Sequence, residues 1–441
     1  MAKTTITQIP YGGGTINLAQ QKDITTVFIG NNKFVNLYAQ SNPNIVYAHV
    51  VTVSGLNGGT ASSENGPQFA FAASAGRVRA WKVAENRLFV LMGNDLRVLE
   101  VDASDNIVMK NAVLTNYIST PLWRGSNGNT TASTEMLSDG QQGAGVTGHR
   151  AADNAMYITV KGNNVNFSNY NGAAGTGLFF VSYDPSTDVL TSSFLNSLTN
   201  APFATPTYSS ASGVDGCAHI KFSDIPNSVN KLMYMVGGNS STYNNTRTAS
   251  SSSSPRIIWA VVLSPSGSIV STVSLTGNPT TNYSAETPFI TTLLPMGDNK
   301  YLGFTDARSF LYHDGTQWSS NRAIFAASGS EGVVTGAYRI DDTYCAITFC
   351  APIEGTVAGS TRAAKNAIAQ TQYLRIVRFV DANFAEVSPA TETYANFSLG
   401  VPLNIEGNFI DKIGTNTLAY YSKASATGAD ARINIRSIFG A

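Results

Sequence analysis

An internal repeat is the feature of this 441-residue chain that most constrains its fold. A tight polar turn followed directly by an apolar strand recurs seven times, at Asn32, Asn86, Asn154, Asn230, Asn299, Asp342 and Asn416. The first and last turns are 384 residues apart, so the six intervals have a mean length of 64 residues. Self-similarity at a fixed period is typical of repeat proteins, in which each unit buries its faces against neighbouring units.

A second series of turns repeats in phase with the first. These turns have the sequences VDASDNIV, YDPSTDVL, LSPSGSIV and VDANFAEV, and YHDGTQW is a degenerate fifth copy. The clearest complete unit runs from Val78 to Leu114 and has four short apolar segments separated by polar turns. Each unit is therefore predicted to be a meander of four antiparallel strands.

Seven such units predict an all-β protein, a seven-bladed β-propeller of four-stranded antiparallel blades that occupies residues 1–441 as one domain. The last unit stops after its third strand, so its fourth strand has to come from elsewhere. The segment from Thr4 to Ile9 has a suitable composition, which makes residues 1–22 an N-terminal arm whose strand completes the last blade and closes the ring. The alternative, two β-sandwiches in tandem, predicts neither the common period nor the missing strand.

The long connections point to a binding surface. Predicted loop insertions fall at 116–147, 163–176, 237–255 and 351–371, all on the face opposite the tight turns. Long loops in compact domains commonly carry function. Residues of the kind found in antibody paratopes mark two of these loops and are the candidate binding residues: Asn166, Phe167, Tyr170, Tyr243, Asn244, Asn245 and Arg247. A solvated flexible loop has the same composition and is the alternative interpretation.

Basic side chains recur on the predicted first strands, which would line a central channel. The candidate channel-lining residues are Arg79, Arg150, His219, Lys221 and Arg339. If they point inward, the channel would be electropositive and would bind anions. Alternatively, these side chains pair with nearby carboxylates or point into turns, because the phase of each strand is not known from the sequence.

Charge and hydropathy exclude several classes of protein. Lys+Arg and Asp+Glu number 28 each, and charged residues make up 13% of the chain. This balance argues against nucleic-acid specificity, which relies on an excess of basic residues. No segment reaches the roughly 18 apolar residues of a membrane span, and the start of the chain has no apolar core that would serve as a signal peptide.

No catalytic or metal-binding signature is present. The histidines His49, His149, His219 and His313 are far apart, with no ligand at metal-binding spacing, so no metal or cofactor is predicted. The segment from Asp314 to Trp318 resembles the Asp-box of sialidases but has the wrong spacing and occurs once. The sequence therefore predicts a protein that is not an enzyme.

The chain as a whole resembles virion proteins of tailed bacteriophages. It is poor in charge, rich in Ser, Thr, Asn and Gly, and built from divergent repeats. Propeller domains occur in the tail nozzles, fibres and baseplates of these phages. The resemblance implies a structural, tail-associated component, located in the virion in multiple copies, that binds other virion structural proteins or a host surface glycan or receptor. It rests on no specific motif, so no family residue is carried over. The alternative is a glycan-binding lectin or a polysaccharide-active enzyme with a propeller fold.

Overall fold

The computed structural model describes a discontinuous set of backbone ranges. These ranges are 3–6, 21–41, 44–53, 61–63, 66–70, 78–92, 95–115, 146–166, 174–197, 217–237, 257–275, 290–297, 299–305, 309–318, 322–323, 333–341, 344–352, 370–380, 383–386, 398–399, 410–415, 417–423 and 431–437. Within them the chain forms 30 β-strands in seven antiparallel sheets, numbered here in chain order.

The first four sheets follow one another along the chain. Sheet 1 contains β2 (Gln21–Gly30), β3 (Lys33–Ser41), β4 (Asn44–Val53), β5 (Ala61–Ser63) and β6 (Gln68–Ala70). Sheet 2 contains β7 (Val78–Ala84), β8 (Arg87–Met92), β9 (Asp95–Val101) and β10 (Ile107–Leu114). Sheet 3 contains β11 (Val146–Ala152), β12 (Ala155–Asn166), β13 (Ala174–Asp184) and β14 (Val189–Ser197). Sheet 4 contains β15 (Cys217–Asp224), β16 (Lys231–Gly237), β17 (Ile257–Leu263) and β18 (Ile269–Leu275).

The last three sheets complete the series. Sheet 5 contains β19 (Ile290–Gly297), β20 (Lys300–Thr305), β21 (Ser309–His313) and β22 (Arg322–Ala323). Sheet 6 contains β23 (Val333–Arg339), β24 (Tyr344–Pro352), β25 (Gln370–Val380), β26 (Asn383–Glu386) and β27 (Ser398–Leu399). Sheet 7 contains β28 (Ile410–Gly414), β29 (Thr417–Lys423), β30 (Ala431–Ser437) and β1 (Lys3–Ile6).

In every sheet four strands form one path of hydrogen-bonded antiparallel neighbours, and in sheets 1 and 6 a fifth strand, β6 or β27, pairs with β4 or β25. The prediction of an all-β chain built from four-stranded antiparallel units is confirmed. In sheet 7 the path runs β28, β29, β30 and then β1, whose Lys3 and Ile6 lie opposite Arg436 and Ile433. The strand from the beginning of the chain is therefore the outer strand of the last sheet.

Asparagine accounts for the tight turns between first and second strands. Asn32, Asn86, Asn154 and Asn299 have φ values of 59°, 58°, 60° and 60°, in the left-handed region that asparagine tolerates better than most residues. Asn230 differs from this pattern. The left-handed residue of that hairpin is Asn227, with φ 56°, in a longer connection that spans 225–230.

Apolar clusters join consecutive sheets from sheet 1 to sheet 6. In β8, Leu88 and Val90 belong to the cluster shared with sheet 1, whereas Phe89 and Leu91 belong to the cluster shared with sheet 3. Because side chains alternate along a strand, β8 is buried on both faces, and its sequence RLFVLM is nearly continuous in apolar residues. The core of the molecule is therefore a series of sheet-to-sheet interfaces.

The first strands bring the sheets together at one edge. β2 contacts β7, and the contacts continue through β11, β15, β19, β23 and β28. β28 of sheet 7 also contacts β2 of sheet 1. The first strands of all seven sheets are thus neighbours in chain order.

The structure corrects the boundaries of the predicted insertions. β12 continues to Asn166 and β13 begins at Ala174, so the insertion at 163–176 is shorter than predicted. β24 and β25 likewise pair as far as Pro352 and Gln370 within 351–371. The insertion at 116–147 ends before Val146, and the arm at 1–22 ends before Gln21. The end of β12, KGNNVN, lacks the apolar alternation that marks a strand in the sequence, but Asn166 still pairs with Ala174.

Candidate functional site

The connections between strands differ in length at the two ends of the sheets. Connections between first and second strands contain at most six residues, namely 31–32, 85–86, 153–154, 225–230, 298–299, 340–343 and 415–416. Connections between second and third strands include four long ones, namely 167–173, 238–256, 353–369 and 424–430. Consecutive strands are antiparallel, so these two sets leave opposite ends of each sheet. The third-to-fourth connections leave the same end as the first set and contain at most eight residues, whereas 238–256 and 353–369 contain 19 and 17. We call the ends the short-turn end and the long-loop end.

The predicted binding residues belong to the long-loop end of two adjacent sheets. Asn166 is the last residue of β12 and lies opposite Ala174 in the ladder with β13. Phe167 and Tyr170 follow it in the chain and lie outside the described residues. The remaining candidates also lie outside the described residues, between β16 and β17 of sheet 4: Tyr243, Asn244, Asn245 and Arg247.

Three of the predicted channel residues have described side chains, and each makes a local contact. Arg79 is 5% exposed, and its Nη1 donates a hydrogen bond to the Val78 carbonyl at 3.0 Å. Arg150 forms an ion pair with Asp153 in the adjacent turn. The Nε of Arg339 donates to the Asp341 carbonyl at 3.0 Å. Arg150 and Arg339 contact turn residues, as the alternative interpretation expects, whereas Arg79 is buried on β7 and contacts the carbonyl of its neighbour.

The other two predicted channel residues, His219 and Lys221, lie on β15. In the ladder with β16 they are opposite Val236 and Tyr234. Their side chains are outside the described residues. An electropositive channel therefore stays a prediction.

The short-turn end of sheets 3 and 4 carries a polar cluster that the sequence did not reveal as a unit. Asp224 at the end of β15 accepts a hydrogen bond on Oδ1 from the Lys231 Nζ at 2.7 Å. The same oxygen lies 3.1 Å from the His149 Nε2 on β11. The imidazole of His149 also stacks on Phe222, with ring planes 4° apart and centroids 6.1 Å apart. His149 and Asp224 are 75 residues apart in the sequence, so no local motif signals their contact.

The cluster is suited to holding charge between two sheets. The hydrogen bond with His149 and the neighbouring Lys231 ammonium hold the pKa of Asp224 well below its usual range. An ionised carboxylate with two donors on one oxygen is an electrostatic clamp rather than a proton donor. Among the described residues, no group of His, Cys, Asp and Glu side chains is arranged to hold a metal ion.

A second polar network links sheets 2 and 3. The Arg87 guanidinium donates to Glu100 Oε2 at 2.9 Å within sheet 2 and to Asn154 Oδ1 at 2.6 Å in sheet 3. It also lies 5.2 Å from the centroid of the Tyr183 ring. The hydrogen bond from Arg87 lowers the pKa of Glu100. Arg87 thus joins the first-to-second turn of sheet 3 to the middle of sheet 2.

The Tyr183 hydroxyl extends this network to the outer strand of sheet 2. It donates to Asp188 Oδ1 at 3.0 Å, and burial together with Asp188 raises the pKa of Tyr183 to about 12. Asp188 in turn accepts hydrogen bonds from the backbone amides of Asn111 and Ala112 at 3.0 and 3.3 Å. Although desolvation opposes ionisation, these amides keep the pKa of Asp188 below its usual range.

Many solved structures resemble this chain, and two of them illustrate how low the similarity is. The structure is similar to "YCF48 bound to D1 peptide", with a TM-score of 0.44, 8% identity, and coverage of 100% of this chain and 98% of that chain. It is also similar to Sqt1 of Saccharomyces cerevisiae, with a TM-score of 0.36, 8% identity, and coverage of 84% and 99%. Both TM-scores are below 0.5, so the fold is assigned from the pairing of the strands alone.

No protein-family model matches the sequence, and no curated protein is significantly similar to it. Among the described residues, no helix is long and apolar enough to span a membrane.

Proposed function

We propose that the seven sheets are the blades of one closed seven-bladed β-propeller and that β1 is the closing strand. Support comes from the first strands, which contact one another in chain order and include a contact between β28 and β2. The apolar clusters between consecutive sheets provide further support, because propeller blades pack face to face. In a closed ring, neighbouring sheets would cover both faces of every sheet.

We further propose that the protein is a non-enzymatic structural component of a bacteriophage virion, associated with the tail as part of a fibre, nozzle or baseplate. Its long-loop end would bind other virion proteins or a host surface. The observation that carries this proposal is the asymmetry of the connections, because the two longest connections between paired strands, 238–256 and 353–369, leave the long-loop end. Long loops held on a rigid scaffold are the usual place for partner recognition.

The chemistry of the chain supports assembly in multiple copies. Its formal net charge is zero, so copies of the protein do not repel one another strongly. The two loops with candidate residues are rich in Asn, Ser, Gly and Tyr, which provide adaptable hydrogen bonds and rigid aromatic area. Such surfaces form wet, hydrogen-bonded interfaces with proteins or glycans.

Incorporation into particles tests this proposal. We would insert one epitope tag in 238–256 at the long-loop end and, as a matched control, the same tag in 226–229 at the short-turn end. Each variant would be supplied in trans during infection by a phage that lacks the wild-type gene, and purified virions would be probed for the tag and for infectivity.

The proposal predicts tail labelling with the control variant and loss of incorporation or of host attachment with the long-loop variant. Absence of both variants and of the wild-type protein from purified virions would contradict a virion role. Turnover of a polysaccharide by the isolated protein would contradict the non-enzymatic assignment.

A further inference from the structure

The outer strand of each sheet exposes one row of backbone groups that have no partner within the sheet, and such edges invite pairing with another chain. Four of these outer strands are short. β5, β22, β26 and β1 contain 3, 2, 4 and 4 residues. Short edges offer few hydrogen bonds to a partner, so these four sheets are protected by length alone.

β10 is longer but is protected in other ways. Asp188 of sheet 3 accepts hydrogen bonds from the backbone amides of Asn111 and Ala112, as described above. The register of β10 with β9 shifts between Met109 and Val113, and Lys110 adds a charge to the strand. Capping, a bulge and a lysine are all known means of preventing edge-to-edge pairing.

Among the described residues, β18 has no capping side chain and no charge, and its one register shift lies near its start, at Val270. Its sequence IVSTVSL contains no charged residue and no proline, and the chain is uncharged from Ile257 to Ala285. Val270 and Val273 are 56% and 43% exposed. The ladder with β17 is regular from Ser271 to Leu275, so the opposite edge presents an uninterrupted row of about five residues. β14 is also long and uncharged, but it contacts β10, the outer strand of sheet 2.

The uncharged, β-branched sequence of β18 indicates which kind of strand its free edge would pair with. An uncharged strand with exposed valines offers main-chain hydrogen bonds and apolar contacts, and it gains nothing from a charged partner. β18 itself is an uncharged, β-branched strand of this kind, and every copy of the chain carries one. Antiparallel self-pairing about Val273 would place Thr272 opposite Ser274 and Ser271 opposite Leu275, which brings no like charges together.

We propose that β18 pairs with β18 of a second copy of this chain, antiparallel about a two-fold axis at Val273, so that sheet 4 continues across two molecules. Such an interface is isologous, because each copy contributes the same strand. The contact is short, so the dimer is weak and forms in a concentration-dependent manner. This inference stands independently of the virion role proposed above.

Sedimentation velocity of the full-length protein tests the pairing. The wild-type protein is expected to shift from monomer to dimer as its concentration rises. Val273→Lys places a charge at the axis in both copies, so the dimer dissociation constant is expected to rise about tenfold or more. Val108→Lys is the matched control, because Val108 is similarly exposed at 47% but lies on the protected strand β10; it should leave the dissociation constant unchanged.

Disulfide formation gives a second readout that does not depend on a charged substitution. A Val273→Cys variant is expected to form an intermolecular disulfide under mild oxidation, because the two copies of this residue would face each other at the axis. Val108→Cys should form little or none. The native Cys217, Cys345 and Cys350 are present in both variants, so any crosslinking through them is common to the two and cancels in the comparison.

Three results would overturn the proposal. One is a wild-type protein that stays monomeric at all accessible concentrations. Another is a dimer that survives Val273→Lys, which would place the contact on a different surface. The third is equal crosslinking of Val273→Cys and Val108→Cys, which would indicate random collision.

Discussion

The interface between sheets 2 and 3 and the interface between sheets 3 and 4 have the same strand order but different polar chemistry. The first is joined by the Arg87 network and by Asp188. The second is joined by the His149–Asp224 contact, by a hydrogen bond from the Tyr157 hydroxyl to the Ser264 carbonyl, and by a close turn against Phe180. Both contain a continuous apolar cluster.

This difference indicates which residues of each repeat are needed for packing between sheets. Both interfaces are built from the apolar faces of the strands. The polar contacts, in contrast, involve different residues at the two interfaces. Because the apolar requirement is met by many combinations of Val, Leu, Phe and Met, repeats can diverge without leaving a recognisable sequence motif. The comparison therefore predicts that apolar substitutions cost most and that single polar substitutions cost less.

The largest effect is expected from Phe89→Ala. Phe89 is fully buried in the cluster between sheets 2 and 3, and its truncation leaves a cavity that should lower the free energy of unfolding by about 3–5 kcal/mol. Met233→Ala in the cluster between sheets 3 and 4 should cost a comparable amount, about 2–5 kcal/mol. Urea denaturation would measure both. A loss below about 1 kcal/mol at either site would break the claim that both interfaces depend on apolar packing.

Gly267→Ala should destabilise the interface between sheets 3 and 4 by about 2–4 kcal/mol. Gly267 has φ +88°, and a Cβ there would lie 2.8 Å from the Phe180 ring, so the variant combines backbone strain with overpacking. Gly297→Ala is the matched control, because Gly297 has φ +94° and no atom of the described residues lies within 4 Å of its Cβ position. The control should lose only about 1–2 kcal/mol. Equal losses in thermal or urea unfolding would show that the contact with Phe180 does not matter.

Arg87→Met should lower the free energy of unfolding by about 1–2 kcal/mol. The substitution keeps the packing of the side chain but removes the hydrogen bonds that Arg87 donates to Glu100 and Asn154. Arg87→Lys should recover part of this loss, because an ammonium group keeps the charge but cannot reach both acceptors as a planar fork does. If Arg87→Lys were no better than Arg87→Met, the charge of Arg87 would not contribute to the interface.

The smallest effect is expected in the pH dependence of stability. Glu100 at one interface and Asp224 at the other have lowered pKa values in the folded state. Their contributions are complete above the unfolded-state values of about 4 and are lost as the pH falls through the folded-state values. Urea titrations from pH 7 to pH 2 should therefore show stability that falls below about pH 4.

Substituting each carboxylate would assign this acid slope. Asp224→Asn and Glu100→Gln should each reduce stability at pH 7 and flatten the decline below about pH 4. Asp224→Asn should flatten it more, because both His149 and Lys231 bind the Asp224 carboxylate. An acid slope that neither substitution changes would indicate that other carboxylates control it.

Local features of the fold could be predicted from the sequence, and contacts between sheets could not. The turns at Asn86 and Asn154 were predicted because asparagine has a strong preference for the left-handed conformation that these hairpins require. The extension of β12 to Asn166 was missed because its sequence KGNNVN is polar and resembles a loop. The missing fourth strand of the last unit indicated the pairing of β1 with β30.

The candidate site illustrates the limit more clearly. Arg87 and Asn154 are 67 residues apart, and His149 and Asp224 are 75 residues apart. Whether such pairs meet depends on the angle and offset between two packed sheets. Neither quantity produces a periodic pattern in the sequence of a strand. The direction of the basic side chains on the first strands depends on the same offsets, so the sequence left open whether they line a channel or pair locally.

A face-on electron microscopy average of the purified protein tests the central claim most directly. A closed seven-bladed propeller predicts a disc with seven lobes at equal angles around a central depression, unchanged at low protein concentration. An average with two separate lobes, an open arc, or a number of lobes other than seven would contradict the closed ring of seven sheets.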